Sequence, residues 1–295
     1  DIGLDRGQLG SEKLVKFIKK GNKLLLVEPN LYYRAETENK SEKKSVEQAF
    51  AKSVIFGFEI IESKEQYHLV DFTPFLMFDR HGVAKRLRDS KQGTYKIDKS
   101  KSAVELNNTK AFPENVEFEA LLTFSGEAKG NLIRSVSPDP NNVTVIQHHS
   151  FIKLPDSKYK PRKFDPRSGA ISISYMDYST PIDEPITKKY IIRHRLEKKN
   201  PELEISEAVE PIIYYLDPGT PEPVKSALLD GGKWWNQAYE SIGFKDAFQV
   251  KMLPEDADPL DCRYNVIQWV HRSTRGWSYG ASVVDPRTGE IIKGH

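Results

Sequence analysis

Hydrophobic residues in the first two hundred positions fall into short runs, and several of these runs alternate with polar residues. Alternation with a period of two is typical of strands that bury one face and expose the other. The pattern predicts five strands, over 23–28, 53–61, 67–72, 116–124 and 143–151. Two short helices and one long polar loop complete this part of the chain: 44–52, 82–90 and 100–115. The first region is therefore predicted to be rich in β-structure.

The hydrophobic pattern changes its period in the last third of the chain. A strand over 211–216 leads into a turn, and a long amphipathic helix follows. Thr220 is expected to cap this helix, and Gly243 is expected to end it in the left-handed conformation. Apolar residues at i, i+3, i+4 and i+7 form one stripe that includes Trp235. The stripe predicts that Trp235 lies in the core and that its neighbour Trp234 packs against the first region.

Two further strands and a hairpin end the pattern, over 247–253, 264–270 and 278–293. Gly289 takes the turn position of the hairpin, which needs positive φ. The order is strand, helix, strand, strand, hairpin, the opening of a mixed α/β sheet. The pattern Asp-Pro-Arg-Ser/Thr-Gly occurs at 165–169 and again at 285–289, and we expect two similar turns. The predicted fold class is α+β.

Composition places a domain boundary between the two regions. All four tryptophans lie after residue 205, where 9 basic residues face 13 acidic ones, whereas the first 205 residues carry 35 basic and 29 acidic residues. A charged stretch that contains Pro201 separates the two parts. We therefore predict a β-rich N-terminal domain over 1–205 and a second domain over 206–295.

Whole-chain composition excludes several classes of partner and site. A formal net charge of +2 is too small to indicate nucleic acid or an anionic membrane. No stretch approaches the ~18 to 20 consecutive apolar residues of a transmembrane helix, and the first residues lack the pattern of a signal peptide. The single cysteine, Cys262, excludes an internal disulfide and a cysteine-rich zinc site.

A possible serine nucleophile lies in Gly-Trp-Ser-Tyr-Gly at 276–280, which matches the G-x-S-x-G pattern. Asp285 and His295 follow Ser278 in the order of a hydrolase triad. The nucleophile of such enzymes stands between a strand and a helix, but the residues after Ser278 predict a strand. The sequence therefore disfavours a serine hydrolase.

The histidines do not form a zinc motif, because no H-E-x-x-H occurs in the chain. His148 and His149 are adjacent, so on a strand they point to opposite faces and cannot share one metal ion. The other candidates are single or flanked by arginine: His194, His271 and His295. No metal site is therefore predicted within this chain.

Two other groupings have simpler interpretations. Asp256, Asp258 and Asp261 offer oxygen ligands for calcium, but the loop lacks the glycine and the closing glutamate of an EF-hand, so a solvated acidic turn is favoured. Cys262 and His271 could form a thiol–imidazole pair. They lack a third orienting residue, which favours a buried structural cysteine.

Several stretches of the chain resemble one family of proteins. They are 1–10, 29–35, 111–115, 190–198 and most of 211–294; the most specific part includes Arg-Gly-Trp-Ser-Tyr-Gly at 275–280 and Asp-Pro-Arg-Thr-Gly-Glu at 285–290. The chain resembles large bacterial zinc-dependent metallopeptidases of the metzincin type, whose N-terminal regions are domains of unknown function. By this resemblance, 206–295 is the first half of a metzincin-like domain.

The resemblance implies an activity that this chain does not carry alone. Such enzymes hydrolyse peptide bonds with a metal-activated water and a glutamate as general base. Their zinc motif, H-E-x-x-H-x-x-G-x-x-H, is expected after the hairpin, and residues 1–295 do not contain it. We therefore expect no catalytic residue and no zinc ligand in this chain. Zinc and the C-terminal half of the domain are expected in the full-length protein, at the cell envelope or secreted.

The same resemblance suggests where a peptide or protein substrate binds. In these enzymes an edge strand beside the cleft pairs with the extended substrate through backbone groups. The residues expected to form this groove rim are Ser278, Tyr279, Gly280, Ala281, Ser282, Val283 and Val284, with 290–293 as the alternative strand. A non-catalytic β-rich binding or inhibitory module remains the alternative function. It predicts a closed core, whereas half of a peptidase domain leaves apolar surface exposed.

Overall fold

The computed structural model describes residues 10–273 and 278–295, and the fold is mixed α/β with many strands and few helices. The strands up to residue 191 are β1 (Lys16–Lys20), β2 (Lys23–Glu28), β3 (Tyr33–Arg34), β4 (Ser53–Lys64), β5 (Tyr67–Val70), β6 (Gly93–Ile97), β7 (Ala103–Val104), β8 (Lys110–Ala111), β9 (Asn115–Ala128), β10 (Asn142–Ile152), β11 (Ser172–Asp177) and β12 (Thr187–Ile191). The later strands are β13 (Ser206–Glu207), β14 (Ile212–Leu216), β15 (Phe244–Lys245), β16 (Phe248–Met252), β17 (Asn265–Ile267), β18 (Ser282–Val284) and β19 (Ile291–Gly294).

Within residues 10–273 and 278–295, five α-helices and three 3₁₀ turns connect these strands. The helices are α1 (Lys40–Ala49), α2 (Thr73–Leu76), α3 (Val83–Asp89), α4 (Asn131–Val136) and α5 (Val224–Glu240), and the 3₁₀ turns are Lys99–Lys101, Leu106–Asn108 and Pro166–Ser168. Among the described residues, no helix is both long enough and apolar enough to cross a membrane.

The main core lies between two antiparallel sheets of the first region. One sheet has the strand order β1-β2-β4-β5, and the other is built around the long strand β9. Alternate residues of β9, among them Leu122 and Phe124, meet Leu26 of β2 and Phe58 of β4, and all four side chains are buried. Helices α2 and α3 close this core with further apolar side chains, such as Leu87. The five predicted strands of this region are confirmed, and so are the two short helices as α1 and α3, although α1 begins at Lys40 and ends at Ala49 instead of spanning 44–52.

Strand β9 organises more of the chain than the hydrophobic pattern predicts. It pairs with β10 along one edge, and with β6, β7 and β8 in succession along the other. The long loop predicted over 100–115 is therefore wrong in part, because β7 and β8 lie within it. Each of these two strands has only two residues, which is too short for an alternating pattern to be recognised.

The second region contains a parallel sheet of order β16-β14-β17. Helix α5 connects β14 to the parallel neighbour β16, which gives the crossover that consecutive parallel strands require. The order strand, helix, strand, strand, hairpin is therefore confirmed for the described residues. The boundary at 205 stays a prediction; β13 begins at Ser206 and pairs with β15.

Helix α5 differs from the prediction at its start and in its buried face. It begins at Val224, and the Thr220 hydroxyl donates a hydrogen bond to the Asp217 carbonyl oxygen (2.8 Å) within the preceding turn instead of capping the helix. Trp235 is 64% exposed and Trp234 75% exposed, so both predicted packing positions are wrong.

Close packing at one glycine explains the rotated face of α5. A Cβ atom at Gly232 would lie 2.3 Å from Val250 of β16, so the helix meets the sheet at this position. Leu229, Asn236 and Tyr239 share that face, and the Tyr239 ring stacks on Phe248. The apolar stripe with Trp235 is rotated from this packed face by about one residue step, roughly 100°, around the helix axis.

The two Asp-Pro-Arg-Ser/Thr-Gly segments form the same turn, as predicted. In each, the aspartate accepts from the backbone N–H two residues later and pairs with the arginine side chain, and Gly169 and Gly289 both have positive φ. Only the second turn connects two paired strands, β18 and β19. Asp285 is buried, whereas Asp165 is solvated.

Candidate functional site

The candidate site is a cavity of about 2300 Å³ between the first and second regions. One wall is the polar face of β9 and β10, which includes Glu117, Glu119 and His148. Loop 256–260 and residues of β19 line the cavity from the second region, and the segment 10–14 and part of 278–284 also line it. The second region thus covers a face of β9 that alternation alone predicts to be solvated.

A buried histidine–carboxylate cluster occupies the wall formed by β9 and β10. His148 lies between two carboxylates: its Nε2 pairs closely with Glu117, and its Nδ1 lies 3.1 Å from Glu119. Burial opposes the charged imidazolium, but the hydrogen bonds and charges of the two glutamates outweigh it and raise the pKa of His148. Glu117 is 1% exposed and also accepts from the hydroxyl of Ser150. The cluster is therefore fully paired within the protein.

Asn115 joins this cluster to the second region. Its side-chain oxygen accepts from the backbone N–H of Cys262 (3.0 Å), and its amide donates to the Leu260 carbonyl oxygen (2.9 Å) and to Glu117. Asn115 is buried, so these bonds form without competition from water. One strand end of the first region therefore holds loop 256–262 of the second.

Two aspartates of the acidic loop form ion pairs with basic side chains. Asp258 pairs with Lys110, and Asp261 makes a two-pronged pair with Arg263 (2.6 Å). Within 10–273 and 278–295, no group of three or more His, Cys, Asp or Glu side chains is placed to hold a metal ion. The residues described thus do not fit a zinc site, and we assign no zinc ligand to them.

The adjacent histidines point to opposite faces of β10, as predicted. His148 faces the glutamates, whereas His149 lies on the core side against His81, with ring centroids 5.5 Å apart. Burial, reinforced by the neighbouring charges, lowers the pKa of His149 to about 3. His194 pairs with the hydroxyl of Tyr214 (3.3 Å), and burial lowers its pKa to about 4. Both rings are therefore neutral near pH 7.

The nucleophile candidates are not assembled into a site. Asp285 is engaged by Arg287, and Gly276 and Trp277 of the G-x-S-x-G pattern lie outside the described residues. Cys262 is buried, as predicted. Burial raises the pKa of its thiol to about 11, so the reactive thiolate is scarce at neutral pH.

The predicted rim residues lie in and before strand β18. Ser278, Tyr279, Val283 and Val284 line the cavity; Ala281 exchanges both backbone hydrogen bonds with His295 (3.2 and 2.9 Å). Gly280 is exposed and Ser282 pairs with Gly294. Among the described residues, β18 pairs with β19 alone.

One backbone group of β18 has an unusual partner. The N–H of Val284 donates to the carboxylate of Glu12, at 3.1 Å, instead of to a neighbouring strand. Glu12 belongs to the segment that precedes β1 and is 272 residues away in the sequence. The outer edge of β18 is thus approached by a side chain and not by a strand.

Arginines of the first region anchor the hairpin turn. Arg34 stacks on Tyr175 (4.1 Å to the ring centroid) and donates to the carbonyl oxygens of Pro286 and Arg287. Arg195 forms a bidentate pair with the buried Glu290 (2.7 and 3.1 Å).

Backbone contacts complete this anchor. Arg193 accepts from Ile291 (2.9 Å) and donates to Gly289 (3.0 Å), whose own Cβ, if present, would lie 2.5 Å from the Ile191 oxygen. The turn therefore requires glycine both for its positive φ and for this close approach. Both side-chain and backbone hydrogen bonds therefore attach the hairpin to the first region.

A family model described as a domain of unknown function, DUF5117, matches residues 7–199. The chain belongs to the DUF5117 family. The DUF5117 match contains the β9–β10 cluster and the arginines that anchor the hairpin, and it ends before α5 and the hairpin itself. No curated protein and no solved structure matches the chain.

The residues at the junction were not predicted. Glu117 and Glu119 alternate with apolar residues, which is also the pattern of an ordinary solvated face. A better indicator of the junction residues is the set of stretches that carry the family resemblance. Segments 29–35, 111–115 and 190–198 lie far apart in the DUF5117 region, yet each contacts the second region through Arg34, Asn115 or Arg195.

Proposed function

We propose that this chain is part of a zinc-dependent metallopeptidase, and that β18 forms the rim of its peptide-binding groove. One observation carries the proposal: among the described residues β18 pairs with a strand on one side only, and the N–H of Val284 on its other side meets a carboxylate oxygen. An extended peptide offers carbonyl oxygens of the same kind to an open strand edge. The adjoining cavity leaves space for such a peptide.

The architecture of the second region supports the same proposal. The described order of β14, α5, β16, β17 and the β18–β19 hairpin is the order that the metzincin resemblance implies. Apolar side chains also remain uncovered on α5, where Trp234 and Trp235 are mostly exposed. Exposed apolar surface of this kind is expected of half a domain, and not of the closed core of a self-contained binding module.

The first region has a definite task under this proposal. It holds the hairpin through Arg34 and Arg195 and holds loop 256–262 through Asn115. A rim strand that binds substrate through its backbone must be rigid, because positioning errors reduce binding. The proposed role of the first 205 residues is therefore to support the rim, in an enzyme of the cell envelope or a secreted one.

Peptide binding by the 295-residue chain tests the proposal. Fluorescently labelled, acetylated and amidated octapeptides that vary the central residue are titrated with the chain, and anisotropy is measured. We expect binding by a subset of peptides and no hydrolysis when zinc is added, because the H-E-x-x-H motif that the resemblance implies does not occur in residues 1–295.

Two variants at one position locate the binding edge. Val284→Pro removes the outward N–H, at an edge position where proline is tolerated, and is expected to reduce affinity at least tenfold. Val284→Ala keeps that N–H and is expected to bind within about threefold of the wild type. Equal affinity of the proline variant and the wild type contradicts the proposed edge.

The encoded residues after His295 separate the peptidase from the binding module. The proposal predicts an H-E-x-x-H motif within ~100 residues of the hairpin. A stop codon directly after His295 contradicts it.

A further inference from the structure

The segment of residues 10–15, here called the strap, lines the cavity and reaches the outer edge of β18 through Glu12. It is held at both ends. Gly10 lies against His81, where a Cβ atom would be 2.8 Å from Nδ1, and Val15 packs against the main core. Between these points Lys13 forms an ion pair with Glu28 (2.6 Å), and Glu12 reaches Val284. The strap is thus tied to the first region, and it reaches the second region at the rim strand.

The contact of Glu12 with Val284 resembles one hydrogen bond of a β-sheet pair. In β-sheet pairing, an outward N–H of an edge strand donates to a carbonyl oxygen of the incoming strand. Here the Glu12 carboxylate oxygen takes that place at 3.1 Å, an ordinary hydrogen-bond distance. Ser11, Glu12, Lys13 and Leu14 line the same cavity as Val283 and Val284. A peptide that paired with this edge would meet the strap.

We propose that the strap is an autoinhibitory element, in which Glu12 occupies the edge of β18 and must leave before an extended peptide can pair with it. The inference rests on the proposed function of β18 as a peptide-binding rim. Glu12 suits a reversible contact because the residue is exposed and its carboxylate accepts a hydrogen bond from this N–H across the cavity's edge. The tethers at Gly10 and Val15 keep the strap nearby, so the carboxylate returns when the peptide dissociates.

Removal of the carboxylate is the direct test, with the same labelled octapeptides and the full chain. Glu12→Ala frees the Val284 N–H, so affinity is expected to rise about two- to tenfold, the factor that corresponds to one net hydrogen bond. Glu12→Gln keeps a weaker, uncharged acceptor and is expected to fall between wild type and Glu12→Ala. Glu62→Ala, which removes an exposed glutamate outside the cavity, is the charge-matched control and is expected to leave affinity unchanged.

The outcomes separate the inference from the proposed function. Loss of binding in Val284→Pro together with unchanged affinity in Glu12→Ala overturns the strap and leaves the rim in place. Unchanged binding in Val284→Pro overturns the rim itself. If Val284→Pro does not fold, amide hydrogen exchange of residues 282–284 in the wild type replaces it: faster exchange in Glu12→Ala without peptide supports the strap, and identical exchange overturns it.

Discussion

At the scale of single residues, the junction between the two regions depends on buried polar groups that satisfy one another. His148, Glu117 and Asn115 form a continuous chain of hydrogen bonds from β10 through β9 to loop 256–262. Buried polar groups are costly when unpaired, so each member stabilises the structure only while its neighbours are present. This dependence gives the junction a fixed geometry.

The charge of His148 makes part of the stability depend on pH. The pKa of His148 is raised in the folded protein, so its contribution is complete below the ordinary value of 6.5 and is lost as pH rises through the raised pKa. We predict that the difference in free energy of unfolding between wild type and His148→Gln is largest near pH 6 and decreases toward pH 9. Urea denaturation at several pH values measures it. A difference that grows with pH would contradict this assignment.

The residue scale is also where sequence-based prediction was weakest. The pattern correctly gave His148 and His149 opposite faces, and it correctly made Cys262 a buried residue. It could not show that Glu117 is buried, because burial of that face depends on residues more than 140 positions away, such as Leu260. A local period reports which face of a strand is apolar, and not what covers the polar face.

At the scale of elements, helix α5 shows how one glycine decides a packing face. A Cβ atom at Gly232 would collide with Val250, whereas a Cβ atom at Gly231 would have no neighbouring atom within 4 Å. We predict that Gly232→Ala destabilises the protein by about 1–3 kcal/mol, because the β-branched Val250 cannot move aside cheaply. Gly231→Ala, the matched control, should be neutral or stabilise by up to about 1 kcal/mol. Thermal or urea unfolding of both variants checks this, and equal effects would contradict the assigned face.

Long elements with a clear period were predictable, and elements defined by tertiary contacts were not. β9, β10 and α5 have enough residues for their periods to be recognised, whereas β7 and β8 exist only as partners of β9. The buried face of α5 was predicted incorrectly. Hydrophobicity favours a face centred on Trp235, but the small distance between α5 and β16 requires a glycine on the packed face.

At the scale of the whole molecule, two identical local turns have different energetic importance. Arg287 pairs with Asp285, which is 1% exposed and lies near Arg34, whereas Arg167 pairs with the solvated Asp165. We predict that Arg287→Ala lowers the free energy of unfolding by about 1–3 kcal/mol, because it leaves a buried carboxylate with fewer partners. Arg167→Ala is expected to have almost no effect, since exposed pairs contribute little. Urea denaturation measures the free energy of unfolding of the two variants. Equal losses would contradict the greater importance of the buried turn at Asp285.

The two regions act together in this account, because the DUF5117 region supports the hairpin that forms the proposed rim. Arg34 and Arg195 hold the turn, and the strap approaches the opposite edge of β18. The DUF5117 region would then both support β18 and inhibit peptide binding to it.

Amide hydrogen exchange of β18 in the wild-type chain, with and without a bound octapeptide, shows whether this strand is the edge that the peptide pairs with. We expect that peptide slows exchange at Ser282 and Val284, while exchange in β14 and β16, which already pair within the parallel sheet, stays unchanged. Peptide binding that leaves exchange at 282–284 unchanged would contradict β18 as the rim of the groove.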